Sequence, residues 1–109
     1  MIRAAFERDG EGRIVSFEMT GHAGFAAGGA DVVCAGVSAI AQTVIGSLED
    51  LAGITPGYIL EDGHIKCTVT YPEDREQAVK VATLMGSLWI GCIQIQDSYG
   101  TRHLAVVEK

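Results

Sequence analysis

A histidine and a cysteine joined by a glycine-rich segment are the residues of this sequence best placed for chemistry. The segment GHAGFAAGGADVVCAGVSA, residues 21–39, contains His22 and, twelve residues later, Cys34. Glycine and alanine dominate between them, and such a chain moves easily because glycine restricts φ and ψ least. A segment of this length can turn back and bring an imidazole beside the thiol. The spacing therefore predicts a Cys–His pair for nucleophilic catalysis.

The predicted start of a helix favours Cys34 as the nucleophile. Asp31 is a good N-cap, so Cys34 falls in the first helical turn, where unpaired amides carry about half a positive charge. Amides in that position stabilise a thiolate and can also receive an oxyanion. As the cap, Asp31 would orient the backbone of Cys34, while Ser38 lies one turn later on the same face. The Ser38 hydroxyl can then bond the Cys34 carbonyl or hold a water near the sulfur.

The same residue types also have ordinary structural interpretations, which the sequence leaves open. A cysteine outside a disulfide is most often a small buried hydrophobic residue, and we predict that role for Cys67 and Cys92. For Cys34 the buried and the reactive interpretations stand side by side. His22 alone would be a solvated loop histidine more often than a base, and His64 is expected to be solvated.

Neither a metal site nor a phosphate-binding loop is predicted. His64 and Cys67 have ligand-like spacing, but an odd separation on a strand directs the two side chains to opposite faces. The sequence contains no CxxC or HxxxH pair, which would be typical of a zinc site. No Gly-Lys-Ser/Thr follows the glycine-rich segment, which excludes a P-loop. We therefore expect no metal and no cofactor.

The composition is that of one acidic globular domain spanning residues 1–109. Hydrophobic residues make up 48% and charged residues 20% of the chain, and the formal net charge is -6 at pH 7. These fractions are typical of a packed core rather than of a disordered segment. The negative charge argues against direct binding to nucleic acid or anionic lipid, and it favours a basic partner.

Three further features predict a cytoplasmic protein. Three cysteines cannot all pair in intramolecular disulfides. The first ten residues carry charges and no apolar run like that of a signal peptide. The longest charge-free run, residues 32–48, is shorter than the roughly 20 apolar residues of a membrane span. Together they favour a reducing compartment and no membrane association.

Hydrophobic patterning predicts an α+β domain of order ββαββαβ. Two alternating runs around a glycine-rich turn form a first hairpin, and a second pair flanks the dipeptide Asp62-Gly63. The predicted elements are strands near 2–7, 15–20, 58–60 and 65–71, helices over about 31–51 and 73–96, and a strand over 102–107. Such elements form two layers, a largely antiparallel sheet packed with two apolar helices.

Both predicted helices lack charge over long stretches, residues 32–48 and 81–96. The predicted core stripe of the first helix is Val33, Val37, Ile40, Val44, Leu48 and Leu51. Its opposite face is small and uncharged, and a helix without a polar face is buried on more than one side. Because a sheet covers only one side, we expect packing between the helices and a homodimer interface to cover the rest.

The segment that carries the candidate residues resembles the signature of the ribosomal-processing cysteine protease family (Prp). The resemblance rests on Gly21-His22-Ala23, Gly29 and Asp31-Val32-Val33-Cys34-Ala35-Gly36-Val37-Ser38-Ala39. It extends to the chain length, the two hairpins and the charge-free helices, and so covers essentially the whole chain. Gly36 and Val32 stand where the family commonly has alanine and isoleucine, and neither difference touches a candidate catalytic residue.

The resemblance implies a cytoplasmic cysteine endopeptidase that removes the N-terminal extension of a large-subunit ribosomal protein, number twenty-seven, and so supports ribosome assembly. It also implies that His22 and Cys34 are the catalytic pair, that the enzyme is a homodimer, and that the loop between the pair is mobile and closes over the peptide. The residues expected to support the pair or bind substrate are Gly21, Gly28, Gly29, Asp31 and Ser38. The acidic charge suits a basic ribosomal substrate.

Two other classes of function stay open. A non-catalytic ribosome-assembly or peptide-binding protein could use the same acidic surface without a reactive thiol. A thiol-redox or thiol-transfer protein would use Cys34, although the sequence offers no resolving cysteine near it. Ordinary alkylation kinetics at Cys34 would favour the first class, and oxidation of Cys34 in cell extracts would favour the second.

Overall fold

The computed structural model describes residues 1–22 and 29–109, and for residues 29–31 only the backbone. Its elements, in chain order, are β1 (Ile2–Arg8), β2 (Ile14–Thr20), α1 (Gly29–Asp50), β3 (Gly57–Glu61), β4 (His64–Thr68), α2 (Arg75–Tyr99) and β5 (Leu104–Glu108). The predicted order ββαββαβ is thereby confirmed. The loop predicted to be mobile falls mainly on residues 23–28, which lie outside the described residues.

The strands form one sheet in the order β3-β4-β2-β1-β5. Three of the four neighbouring pairs are antiparallel, and β5 runs parallel to β1. Parallel pairing requires a long crossover connection, and the segment containing α2 provides it. The α+β class with a largely antiparallel sheet is confirmed.

Glycines close both hairpins at the predicted turns. In the β1–β2 turn, Gly12 adopts φ +82°, and Asp9 Oδ1 accepts the amide N–H groups of Glu11 and Arg13, each at 3.0 Å. In the β3–β4 turn, Gly63 adopts φ +74°. A positive φ is accessible to glycine at little cost, so these residues set where each chain reversal occurs.

An aspartate cap starts α2 close to the predicted position. Asp74 lies just before the helix, and its side chain accepts the amide N–H of Gln77 at 2.9 Å. This bond satisfies one of the amides that a helix start leaves unpaired. The helix ends at Tyr99, slightly later than predicted, and Gly100 at φ +97° is the residue that leaves the helical conformation.

The start of α1 differs from the prediction. The helix begins at Gly29, so Asp31 lies inside the first turn and not at the N-cap. Ala30, between them, has the highest helix propensity, and the helix dipole favours an aspartate anywhere in the first turn, so both residues are compatible with a helix that begins before Asp31. The end of α1 at Asp50 agrees with the prediction, and Gly53 follows at φ +70°.

The helices and the sheet meet in one apolar cluster. Phe6 and Phe17, from β1 and β2, are fully buried with ring centroids 6.3 Å apart. The helices contribute Val33, Val37, Ala41, Val44, Ile45, Leu48, Val81, Met85, Leu88 and Cys92. The predicted core position of Leu51 is wrong, since its side chain is 66% exposed. It follows the last residue of α1, where the chain turns and buries Ala52 instead.

Truncating Leu48 tests this placement of the core. Leu48→Ala should lower the free energy of unfolding by about 2–5 kcal/mol, because removing a fully buried side chain leaves a cavity. Leu51→Ala is the matched control and should change it by less than about 0.5 kcal/mol. Urea denaturation monitored by circular dichroism gives the free energy of unfolding of each variant. Equal losses in the two variants would contradict the position of the α1 terminus.

Exposure separates the three cysteines, none of which is in a disulfide. Cys67 on β4 and Cys92 on α2 are fully buried, as predicted. Burial raises the pKa of the Cys67 thiol to about 12 and that of Cys92 to about 12. Cys34 on α1 is only half-buried. The thiolate is the reactive form of cysteine, so the two buried residues cannot act as nucleophiles near neutral pH.

Alkylation should distinguish the three thiols. Iodoacetamide at about pH 8 should label Cys34 alone in the folded protein, because the raised pKa values keep Cys67 and Cys92 protonated and burial blocks access. Peptide mapping by mass spectrometry gives the sites. The same treatment in urea is the control and should label all three cysteines. Labelling of Cys67 in the folded protein as fast as Cys34 would contradict the burial of β4.

Candidate active site

A pocket of about 570 Å³ lies where the end of β2, the β3–β4 turn and the first half of α1 meet. We call it the site pocket, and both candidate catalytic residues, His22 and Cys34, line it. The other described lining residues are Ile2, Met19, Gly21, Ala35, Val37, Ser38, Gln42, Leu60, Glu61, Asp62, Gly63, His64 and Ile65. A thiol and an imidazole in one pocket are the components of nucleophilic catalysis by cysteine.

The backbone at His22 is tied to two other parts of the chain. The amide of Gly21 donates to the carbonyl of Gly63 at 3.0 Å, and the Met1 α-ammonium group donates to the His22 carbonyl at 2.6 Å. Gly21 adopts φ +91°, and a Cβ there would lie 2.6 Å from the Met1 carbonyl oxygen. Glycine is therefore required where the chain passes from β2 to His22.

Cys34 lies in the second turn of α1 and packs against the apolar cluster. Because α1 begins at Gly29, the amides of its first turn that lack an intrahelical partner are those of residues 29–31. Cys34 follows them and is not among them, contrary to the prediction. The helix dipole acts mainly within the first turn, so the predicted stabilisation of a Cys34 thiolate by these amides is correspondingly weaker.

Ser38 and Gln42 continue the face of α1 that carries Cys34. Ser38 Oγ accepts a hydrogen bond from Gln42 Nε2 at 2.8 Å, and both residues line the site pocket. Gln42 is not among the predicted site residues. Its signal in the sequence is the spacing of four residues from Cys34 to Ser38 and again to Gln42, which puts three polar side chains in one row.

The remaining predicted residues are described in part or not at all. Gly28 lies outside the described residues. Gly29 and Asp31 lie in the first turn of α1, and the structure describes only their backbone. Their support of the catalytic pair, and that of Gly28, stay predictions.

His64 lines the site pocket and is paired, in contrast to the solvated side chain expected from the sequence. Its Nε2 donates to Oε2 of Glu18 on β2 at 2.7 Å, and Lys109 Nζ lies 3.3 Å from Oε1 of the same carboxylate. The hydrogen bond from His64 lowers the pKa of Glu18 against the opposing effect of burial, and Lys109 lowers it further. The pair links β4 to β2 beside the pocket.

The mouth of the site pocket is acidic. Glu61 and Asp62, at the β3–β4 turn, are exposed and line it, and none of its described lining residues is lysine or arginine. Such a mouth attracts basic groups and repels anions. Across the described part of the chain, no three His, Cys, Asp or Glu side chains are grouped closely enough to hold a metal ion.

Comparison with known proteins identifies the family. The sequence model of the family described as cysteine protease Prp matches residues 1–103. The ribosomal processing cysteine protease Prp of Bacillus subtilis (strain 168) is 48% identical over 102 residues, which cover 91% of this chain and 90% of that protein.

Solved structures share the fold over nearly the full length. SMU.848 from Streptococcus mutans is 29% identical, with a TM-score of 0.84 and coverage of 99% of this chain and 96% of that one. The essential ribosomal processing protease Prp from S. aureus, in complex with a covalently linked product peptide, is 22% identical, with a TM-score of 0.85 and full coverage of both chains, 100% and 100%. The family match and the 48% identical relative together show that this chain belongs to the Prp family of cysteine proteases.

Proposed function

We propose that this protein is a cysteine endopeptidase with His22 and Cys34 as its catalytic pair. The observation that carries the proposal is that these two side chains line one pocket in a member of a cysteine protease family. Cys34 is also the most accessible of the three cysteines, since Cys67 and Cys92 are fully buried. A nucleophile must be reachable by substrate, and Cys34 alone meets that requirement.

In the proposed reaction, His22 accepts the proton of the Cys34 thiol and the thiolate attacks the scissile carbonyl, which forms a C–S bond. Charge develops on the carbonyl oxygen and requires N–H donors, which the first turn of α1 is suited to supply. The C–N bond breaks as His22 gives the proton to the leaving amine. Water then hydrolyses the thioester and restores the thiol.

We propose that the substrate is the N-terminal extension of the large-subunit ribosomal protein numbered twenty-seven, cleaved in the cytoplasm. The relative from Bacillus subtilis is named a ribosomal processing cysteine protease, which supports a ribosomal protein as the substrate class. The net charge of -6 and the acidic mouth formed by Glu61 and Asp62 suit a basic protein.

Cleavage of the unprocessed ribosomal protein tests the proposal. The wild type should make one defined N-terminal cut, and Cys34→Ala and His22→Ala should each reduce its rate at least about 1,000-fold, because each removes one member of a pair that acts as a unit. Leu51→Ala, at an exposed residue just after α1, is the control and should cleave at the wild-type rate. Mass spectrometry locates the cut and follows its rate.

Two results would overturn the proposal. Appreciable cleavage by Cys34→Ala would show that another group is the nucleophile. Absence of a cut by well-folded wild type, with the extension present, would leave a peptide-binding protein as the function.

We also propose that the protein is a homodimer that buries the outer face of α1 and α2. Residues 32–48 and 81–96 carry no charge. Each helix contains a window of mean hydropathy 1.5, of which 33% is buried in α1 and 22% in α2. By length and composition both could cross a membrane, but core helices of soluble proteins meet the same criteria, and both helices here pack into the cluster under the sheet.

A groove of about 300 Å³ lies between the two helices on this face. We call it the helix groove. It is lined by Ile40, Thr43, Val44, Ser87, Leu88, Ile90, Gly91 and Gln94. The absence of a side chain at Gly91 lets the helices approach closely. A Cβ there would lie only 3.1 Å from Ile40 Cδ1. Ile90 is 52% exposed beside it. A second copy would bring an identical apolar face, as a two-fold interface requires.

A charge in the helix groove should separate the dimer. Ile90→Lys should convert the protein to a monomer, because the ammonium group would be buried without a partner in the interface. Leu51→Lys places the same charge on an exposed leucine outside the groove and should leave the dimer intact. Light scattering after size-exclusion chromatography measures the mass. A dimer that persists in Ile90→Lys would place the interface elsewhere.

A further inference from the structure

Gly63 occupies a turn that leaves little freedom in its backbone. Glu61 pairs with His64 across β3 and β4, so Asp62 and Gly63 form the whole connection. Gly63 adopts φ +74°, and no described residue other than glycine has a positive φ. The turn therefore differs from the type I′ form that Asp-Gly favours, in which both residues have positive φ.

The imidazole of His22 lies directly against this glycine. A Cβ built on Gly63 would fall 2.7 Å from Nε2 of His22, 3.3 Å from Cε1 and 3.5 Å from Cδ2. Non-bonded carbon atoms in contact lie about 3.5–4.0 Å apart, and a Cβ 2.7 Å from the ring nitrogen would overlap it. The ring thus fills the space that any other side chain at position 63 would need.

Gly63 also holds the backbone that leads to His22. Its carbonyl accepts the amide N–H of Gly21 at 3.0 Å. The pairing of Thr20 with His64 brings the end of β2 beside the start of β4 and so brings the turn to His22. Gly63 therefore contacts the imidazole ring of His22 directly, and it also bonds the backbone of Gly21, the residue before His22.

We propose that Gly63 is a positioning residue that holds the His22 imidazole in the orientation required for proton transfer with Cys34. The proposal rests on the proposed function of the pair. His22 is exposed, so its ring needs a support to hold one rotamer. The support is the flat surface of a residue without Cβ, backed by a turn between two hydrogen-bonded strands. Displacement of a reacting group by about 1 Å can lower a rate about 100-fold, so this contact affects turnover.

The competing explanation is that the turn alone requires glycine at position 63. Gly12 separates the two explanations, because it has a similar φ of +82° in the other hairpin and a Cβ there would have nothing within 4 Å. Asparagine tolerates positive φ better than other residues with a Cβ. Gly63→Asn and Gly12→Asn therefore impose a similar backbone cost, and only the first presses on the imidazole.

Steady-state cleavage of the extension peptide by the two variants is the first test. Gly63→Asn should lower kcat about 100-fold and leave KM within about two-fold, because the ring is displaced while the peptide still binds. Gly12→Asn should keep both parameters within about two-fold of the wild type. A Gly63→Asn variant with the kcat of Gly12→Asn, or one that changes only KM, would overturn the proposal.

A measurement without substrate separates this proposal from the proposed function. In ¹⁵N-labelled protein, the His22 imidazole resonances should shift in Gly63→Asn and match the wild type in Gly12→Asn. If the wild type cleaves no peptide, the proposed function fails, and these resonances alone decide the position of the ring. Unshifted resonances would overturn the positioning role, whether or not turnover is lost.

The wild-type protein provides a test that does not depend on the folding of any variant. Protons on the His22 ring should give nuclear Overhauser effects to the Gly63 α protons, because the ring lies against the side of Gly63 on which a Cβ would project. Their absence would overturn the contact itself.

Discussion

The antiparallel pairing of β2 with β4 is the interaction on which the rest of the structure depends. It joins two hairpins into one sheet, with Phe17 opposite Cys67 and Thr20 opposite His64. The first pair lies in the buried cluster, and the second lies at the edge of the site pocket. A slip of one residue would move Phe17 to the other face of the sheet. It would also separate the residue that follows β2 from the turn that precedes β4, and the pocket would lose one wall.

The helix α1 serves two surfaces, because its side chains repeat every 3.6 residues. Val33 and Leu48 face the core, with exposures of 1% and 0%. Cys34 and Ser38 line the site pocket. Val37 belongs to both, since it is a core residue that also forms part of the pocket wall. The position of the proposed nucleophile is therefore set by the packing of α1 on the sheet.

Local patterns in the sequence were sufficient for the order of the elements and both hairpins, since alternation and glycine act within a few residues. They failed at the start of α1, because Ala30 is a strong helix former and an aspartate is favoured anywhere in the first turn, which allows the helix to begin before Asp31. They also failed for the pair of Glu18 and His64, which are 46 residues apart. Those side chains meet only because β2 and β4 have a particular register, and a long-range register is not encoded in either strand alone.

The proposed catalytic residues belong to different layers, His22 to the end of a strand and Cys34 to the helix that packs on the sheet. Their separation therefore depends on contacts between the layers, where buried Met19 and Val37 also line the pocket. Protein interiors are close-packed, so a change in these contacts displaces their neighbours. Core packing beside the pocket thus serves alignment as well as stability. Leu48, near the far end of α1, is fully buried and is not among the described residues that line the pocket, so we expect its packing to affect stability more than alignment.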